Sequence, residues 1–407
     1  MHFFLKNIAK APFGPPICVI LKYILLPAIT SEKEDNNMLW QQELKSSVRS
    51  VKELVALGYV PPWEQERLNA VEQNFPICVP RYYLSLIDKG REDDPIRKMC
   101  IPALAEEDAS GAFDTSGELS NTVERGLQHK YKNTALILST NVCAMYCRHC
   151  FRKRMVGVSD AETAAFLTQV LSYVREHEEI DNILVSGGDS FLLSNRVIEK
   201  MLSQIAELQH IRFVRFGTRV PVVLPSRLED KALLSTLSRH AAKTPIYAVT
   251  QFNHPNEITA ASERAVKRLR ACGVVVSNQT VLLKGVNDDE NVLAELMNGL
   301  TSMGVVPYYV FQCRPVRAVK GQFQVPLSTG LRLVEHAKAM LNGHAKRFKY
   351  VMSHETGKIE ILGAADDGRL LFKYHQPKYE KDAGRMFAAD VSGGRAWLDE
   401  APGGLLY

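Results

Sequence analysis

Cys143-Ala144-Met145-Tyr146-Cys147-Arg148-His149-Cys150 places three thiols within eight residues, spaced C-x3-C-x2-C. The run before it, Thr134-Ala-Leu-Ile-Leu-Ser-Thr140, is apolar and rich in β-formers, and reads as a strand. The cysteines therefore fall on the loop leaving the C-terminal end of a strand. Thiolates are the usual ligands of iron–sulfur clusters. Three of them on one short loop can hold three irons of a [4Fe–4S] cube and leave the fourth open. An open iron can chelate S-adenosylmethionine (SAM) and pass it an electron, which starts radical chemistry. The alternatives are a zinc site short of its fourth ligand and three unrelated cysteines. With 8 Cys in 407 residues, three within eight positions favours the cluster.

The other cysteines, Cys18, Cys78, Cys100, Cys272 and Cys313, are scattered and unlike a disulfide framework. A reducing, cytoplasmic setting is expected. The formal net charge of +5 is small for this length and there is no basic tail, so nucleic acid is not an expected partner. A chain of 407 residues can bury one large core or two to three modest ones. Residues 17–29 form an apolar run, but Lys22 and Pro27 interrupt it and it is short for a membrane span. The preferred reading of residues 1–37 is an over-long start, with Met38 as the true one. A signal-peptide core or an anchor is the alternative.

From Trp40 to Gly58 apolar residues recur at helical spacing, and breaks at Pro61-Pro62 and Asp94-Pro95 separate further helical stretches. Residues 106–124 are polar and glycine-bearing and read as a loop rather than core. Residues 38–130 are thus expected to be mostly helical. Strands are then expected at 134–139, 182–185, 211–217, 245–251, 274–282 and 306–312. Helices are expected near 160–177, 194–208, 228–241, 257–271 and 288–303. Six β/α units in succession imply a parallel sheet, either an open doubly wound sheet or a full or partial barrel, spanning residues 131–315. Residues 316–407 form an extension, with a helix near 328–342, then Phe348-Lys-Tyr-Val-Met352, Gly357-Lys-Ile-Glu-Ile-Leu-Gly363 and a polar tail with glycine-rich punctuation.

In either architecture ligands gather at the C-terminal strand ends, and the motifs fall there. The second strand ends in Ser186-Gly187-Gly188-Asp189, where two glycines permit close backbone approach and Asp189 can accept hydrogen bonds. A tight β/α turn explains the same residues. Arg219, after the third strand, meets either a ligand carboxylate or a core-edge acid. His254, before Pro255, is either an acid/base group or a structural hydrogen-bonder. Asn278 and Gln279 are polar within the fifth strand and face either a site or a polar barrel layer.

Together these residues resemble the lysine 2,3-aminomutase family of radical SAM enzymes. The matching pieces include Asp94-Pro-Ile-Arg-Lys98, His129-Lys-Tyr131, the cysteine loop, Ser186-Gly-Gly-Asp189, Thr218-Arg-Val-Pro-Val-Val-Leu-Pro225, Phe252-Asn-His-Pro-Asn-Glu257, Asn278-Gln279 and Gly285-Val-Asn287. They run from Trp40 to Lys358. The resemblance implies an α/β fold, a partial (β/α)6 radical SAM barrel with an N-terminal helical segment and a C-terminal extension. It also implies a [4Fe–4S] cluster, SAM and pyridoxal 5′-phosphate (PLP), with a 5′-deoxyadenosyl radical starting migration of an amino group from C2 to C3. Carried over, Cys143, Cys147 and Cys150 are the cluster ligands. Ser186, Gly187, Gly188, Asp189 and Gln279 contact SAM, Arg152 grips the substrate carboxylate, and Lys358 is the PLP lysine. Lys130 and Tyr131 belong to the PLP-phosphate cradle, in which a second basic residue of the family is replaced by Thr134.

Two departures concern substrate. Lysine-specific members carry an aspartate where this chain has Arg314, and a second aspartate before the PLP lysine, where this chain offers only the nearby Glu355. A cation at Arg314 repels a lysine ε-ammonium and attracts a carboxylate, so an acidic amino acid such as glutamate is the electrostatic expectation. Cys272 matches a zinc ligand of the family, but the C-terminal cysteines that complete the site are missing, so no structural zinc is expected. The expected partners are a small amino acid and an electron donor such as flavodoxin or ferredoxin; a homo-oligomer also fits. The competing readings are a radical SAM enzyme of changed chemistry or acting on protein-bound lysine, like the relatives that modify elongation factor P, and a non-enzymatic iron–sulfur redox protein.

Overall fold

The structure is a computed structural model that describes residues 39–157 and 166–398. The apolar run at 17–29, the Met38 start and the first turns of the helix expected from 160 lie outside the described residues. Twelve strands form one sheet in strictly sequential order. They are β1 (Thr122–Glu124), β2 (Leu127–Tyr131), β3 (Thr134–Thr140), β4 (Asn182–Gly187), β5 (Phe213–Gly217) and β6 (Ile246–Thr250), then β7 (Val275–Leu282), β8 (Val306–Gln312), β9 (Lys349–His354), β10 (Gly357–Ala364), β11 (Leu370–Pro377) and β12 (Met386–Ala389).

The pairs from β3 to β9 are parallel, and those at both ends are antiparallel. Each parallel strand pairs with the next, with no reversal of order. That settles the open choice between architectures for the barrel type, since a doubly wound sheet reverses at a switch point.

The crossover helices form because an apolar face recurs at 3.6-residue spacing and a polar side chain caps the start. Residues 195–205 bury Ile198, Met201, Leu202 and Ile205, and Ser194 Oγ accepts from the backbone of Val197. Asp230 and Asp289 cap the helices at 231–241 and 290–302 in the same way. Along β3 the alternation puts Ala135 and Ile137 in the outer core, while Thr134 and Leu136 face the barrel interior.

The structure departs from the sequence reading in four places. The 40–58 helix is two helices, Leu39–Lys45 and Val51–Ala56, because Ser50 caps the second and Val48 pairs with Val79 in a bridge. The helical segment ends in the strands β1 and β2. Residues 106–124 are not all loop: Glu118–Asn121 is a short helix and Thr122–Glu124 is β1, and the stretch buries the carboxylates of Glu106 and Glu118. The extension is no tail: β9 is a seventh parallel strand hydrogen-bonded to β8, and β10–β12 continue the sheet. Leu370, Phe372 and Tyr374 alternate and are buried, and Trp397 is 1% exposed, so the region past residue 363 carries core.

Candidate active site

The C-terminal strand ends and the barrel interior enclose one open cavity of about 360 Å³, within the usual range for small-molecule sites. Its walls carry all three cysteines of the 143–150 loop at one end and Lys358 at the other.

The loop is braced on three sides. The N-terminal segment holds its backbone: Tyr146 N donates to Cys78 O (2.9 Å) and Arg148 N to Met99 O (2.9 Å). Beneath it lies a buried ionic triad. Arg148 Nε donates to Glu106 Oε1 at 2.8 Å, and Lys153 Nζ to Glu106 Oε2 at 2.6 Å. Burial raises the Glu106 carboxyl, but Arg148 and Lys153 outweigh it and hold the group below its ordinary range. From the barrel, Gly187 and Gly188 press on the base of the loop. Gly188 N donates to Thr140 O, Asp189 N donates to Val142 O, and a Cβ on Gly188 would collide with the Val142 carbonyl. Gly187 has φ +111°, which a side chain would strain.

None of the three thiols is in a disulfide. Burial first, then the neighbouring cysteines, raises the Cys143 thiol, and burial raises Cys150 to about 11. Such thiols are neutral until a metal takes their protons. Among the described residues no group of His, Cys, Asp and Glu encloses a single ion. A cube needs no such cage, because it offers a separate iron to each thiolate. The loop thus fits a cluster.

Asp189, Ser186 and Gln279 line the cavity. Asp189 is buried and accepts from Thr218 Oγ1 (2.7 Å), Phe191 N (3.1 Å) and Arg219 N (2.6 Å), so its carboxylate ties β4 to the turn after β5. Arg219 resolves in favour of the core-edge acid and adds a contact. It pairs with buried Glu257 (2.5 Å) and donates from Nη1 to Cys147 Sγ (2.7 Å). His254 caps a short turn by accepting from Asn256 N. Asn278 bonds to the Phe252 backbone, a satisfied polar layer.

At the other end, Lys358 Nζ donates to Gln376 Oε1 at 3.1 Å and lies 5.2 and 5.5 Å from the ring centres of Tyr131 and Tyr309. Burial first, then Arg215 and Arg314, lowers its pKa to about 7, so near neutrality much of it is a free amine. Lys130 is likewise lowered to about 7, by burial, Arg314 and Lys358, and donates to Ser116 O and His354 O.

Between the two ends stand two arginines. Arg152 Nε donates to Glu118 Oε1 (2.7 Å) and Nη1 to Ser186 Oγ (3.1 Å). Burial raises the Glu118 carboxyl, but Arg152 and Arg154 hold it below its ordinary range. Arg314 stacks on Phe151 at 4.2 Å and donates to Ser353 Oγ at 2.7 Å, while its Nη1 is buried with no hydrogen-bond partner. Glu355 is exposed and does not line the cavity. The walls carry six Lys and Arg against two acids, Glu118 and Asp189, and both acids are already paired. The space suits anionic occupants.

Sequence reasoning missed Glu106, Glu118, Arg215, Tyr309 and Gln376. Glu106 and Glu118 sit in a stretch whose polarity looked like solvent exposure. Gln376 sits in the supposed tail, although the alternation at 370–374 was a usable signal.

Residues 137–297 match the Radical SAM superfamily. A protein of Aquifex aeolicus (strain VF5), provisionally named L-lysine 2,3-aminomutase, is 40% identical over 344 residues, 84% of this chain and 91% of its own. The L-lysine 2,3-aminomutase of Clostridium subterminale is 35% identical over 308 residues, 75% of this chain and 73% of that one. The glutamate 2,3-aminomutase of Clostridioides difficile (strain 630) is 36% identical over 327 residues, 80% of this chain and 76% of that one. Among the described residues no helix is long and apolar enough to cross a membrane.

Proposed function

The chain belongs to the L-lysine 2,3-aminomutase family of the radical SAM superfamily, and from that premise we propose that it is a PLP-dependent 2,3-aminomutase whose substrate is an acidic amino acid rather than lysine. One observation carries this reading: a single cavity joins the three cysteines to a half-buried lysine of lowered pKa, with two arginines between them. Cys143, Cys147 and Cys150 would hold the cluster and Lys358 would hold PLP; together with SAM these groups would supply radical initiation and a conjugated carbonyl to carry the amino group.

The chain's own residues do the positioning. Arg152, fixed by Glu118 and Ser186, faces the cavity from the residue pair after Cys150 and suits the α-carboxylate. Gln376 and the two tyrosine rings hold the Lys358 amine within the cavity. Arg314 gives the substrate side chain a cation whose Nη1 has no internal partner. It donates to Ser353 Oγ and is in ion-pair contact with no carboxylate among the described residues, although Glu118 acts on it from a distance; such a cation repels an ε-ammonium and pairs with a carboxylate. The test is anaerobic purification with PLP, followed by borohydride reduction and peptide mapping. The expected result is a reduced pyridoxyl adduct on Lys358. A loaded cluster with no PLP bound at any concentration would sink the aminomutase reading.

A further inference from the structure

Arg215 has entered so far only through its effect on the Lys358 amine, yet it lines the same cavity wall. It sits on β5, in register with Leu184 of β4 and Tyr247 of β6. Its Nη2 donates to Asn182 Oδ1 at 2.5 Å. Asn182 is locked in turn, donating from Nδ2 to Thr134 Oγ1 (3.1 Å) and to Asn133 O (2.8 Å). The guanidinium is therefore aimed toward the starts of β3 and β4. Its Nε is buried with no hydrogen-bond partner, and among the described residues no carboxylate lies within ion-pair distance of it.

Proteins seldom leave a buried donor on a half-buried cation unanswered, because both carry a desolvation penalty. The neighbours show what would answer them. Arg215, like Arg314, is a charge that helps to hold the Lys358 amine below its ordinary range, and it also acts on Tyr131. Lys130 is a weaker candidate for an anion, since it already serves the carbonyls of Ser116 and His354. Thr134, bonded to Asn182 beside Arg215, is a position that carries no charge in this chain.

We propose that Arg215 is the principal phosphate-binding cation of the PLP site, supplying from β5 the charge that position 134 lacks. The inference rests on the reading that PLP binds at Lys358. An arginine oriented through one nitrogen, unpaired at another and lining the cavity suits a phosphate, which accepts several charge-assisted hydrogen bonds at once.

The test is a binding measurement. Full-length protein with its cluster reconstituted anaerobically is stripped of PLP, then titrated with PLP and, separately, with pyridoxal, which lacks the phosphate. Binding is read by absorbance and by equilibrium dialysis. Arg215→Gln is expected to raise the Kd for PLP about 10- to 100-fold, the usual consequence of losing a charged hydrogen bond, while pyridoxal binding stays within about twofold. Inorganic phosphate should compete with PLP in the wild type and compete less in the variant. A thermal melt checks folding. If Arg215→Gln does not fold, Arg215→Lys decides the matter: it keeps the charge but loses the fork, so the Kd for PLP should rise and that for pyridoxal should not. Equal losses for both ligands, or no loss for either, overturn the role of Arg215. A wild type that binds no PLP overturns instead the function proposed above.

Discussion

The two ends of the cavity are built in opposite ways. The cysteine end is local: three thiols in eight residues, on a loop clamped by Gly187-Gly188 and by the Glu106 triad. The lysine end is assembled from distant parts of the chain. Tyr131 comes from β2, Arg215 from β5, Tyr309 from β8, Lys358 from β10 and Gln376 from β11. The difference teaches that generating a radical and directing it are separable. The three thiols come from one motif, although its braces come from elsewhere in the chain, while the lysine end draws even its own side chains from five strands, including the antiparallel strands added beyond the barrel.

The largest expected effect tests that separability. Cys147→Ala should bring iron content and SAM cleavage to background, yet leave PLP capture at Lys358 intact; parallel loss of both would mean the ends do not fold independently. Conversely, Lys358→Ala should abolish PLP retention and amino migration while iron content and uncoupled SAM cleavage persist, as followed by 5′-deoxyadenosine release.

Next in size is the brace. Removing the shared carboxylate with Glu106→Ala leaves Arg148 and Lys153 buried and unpaired, at a cost of about 3–5 kcal/mol. Denaturant unfolding should register it, with a drop in bound iron. Unchanged stability would mean that the triad does not support the loop.

Arg314→Ala should raise the KM for an acidic substrate about 10- to 100-fold, the scale of one lost charged hydrogen bond, with little change in PLP affinity. The smallest effect concerns pH. The Lys358 amine is lowered to about 7 by burial and by Arg215 and Arg314, and only the neutral amine attacks a carbonyl. The rate of PLP capture should therefore rise with pH between about 6 and 8 and level off above. A rise that continues toward pH 10 would show an ordinary lysine.

The legibility of the molecule follows the same division. The barrel strands β3–β8 could be read because burial on both faces makes each a short apolar run, and the crossover helices because their apolar stripes recur regularly. The cysteine loop could be read because its ligands are neighbours in sequence. Glu118 could not: a buried carboxylate in a polar stretch is distinguishable from an exposed one only once Arg152 and Arg154 are placed beside it. Nor could the function of Gln376, since its partner Lys358 lies across a strand pair whose register is set by pairing in space. Asp189 shows the converse. It is recognisable as a motif residue, but its carboxylate is occupied within the chain by Thr218 and the Arg219 backbone.

If one cavity couples a cluster-born radical to an acidic amino acid held through PLP, the hydrogen taken from that amino acid can be traced. The most direct measurement is a deuterium-transfer scan. Enzyme, SAM, PLP and a strong reductant are incubated with amino acids deuterated at C3, and the recovered 5′-deoxyadenosine is weighed by mass spectrometry. Label is expected from glutamate or another acidic amino acid, only when PLP is present, and none from lysine. Label from free or protein-bound lysine, or transfer that ignores PLP, would contradict that coupling.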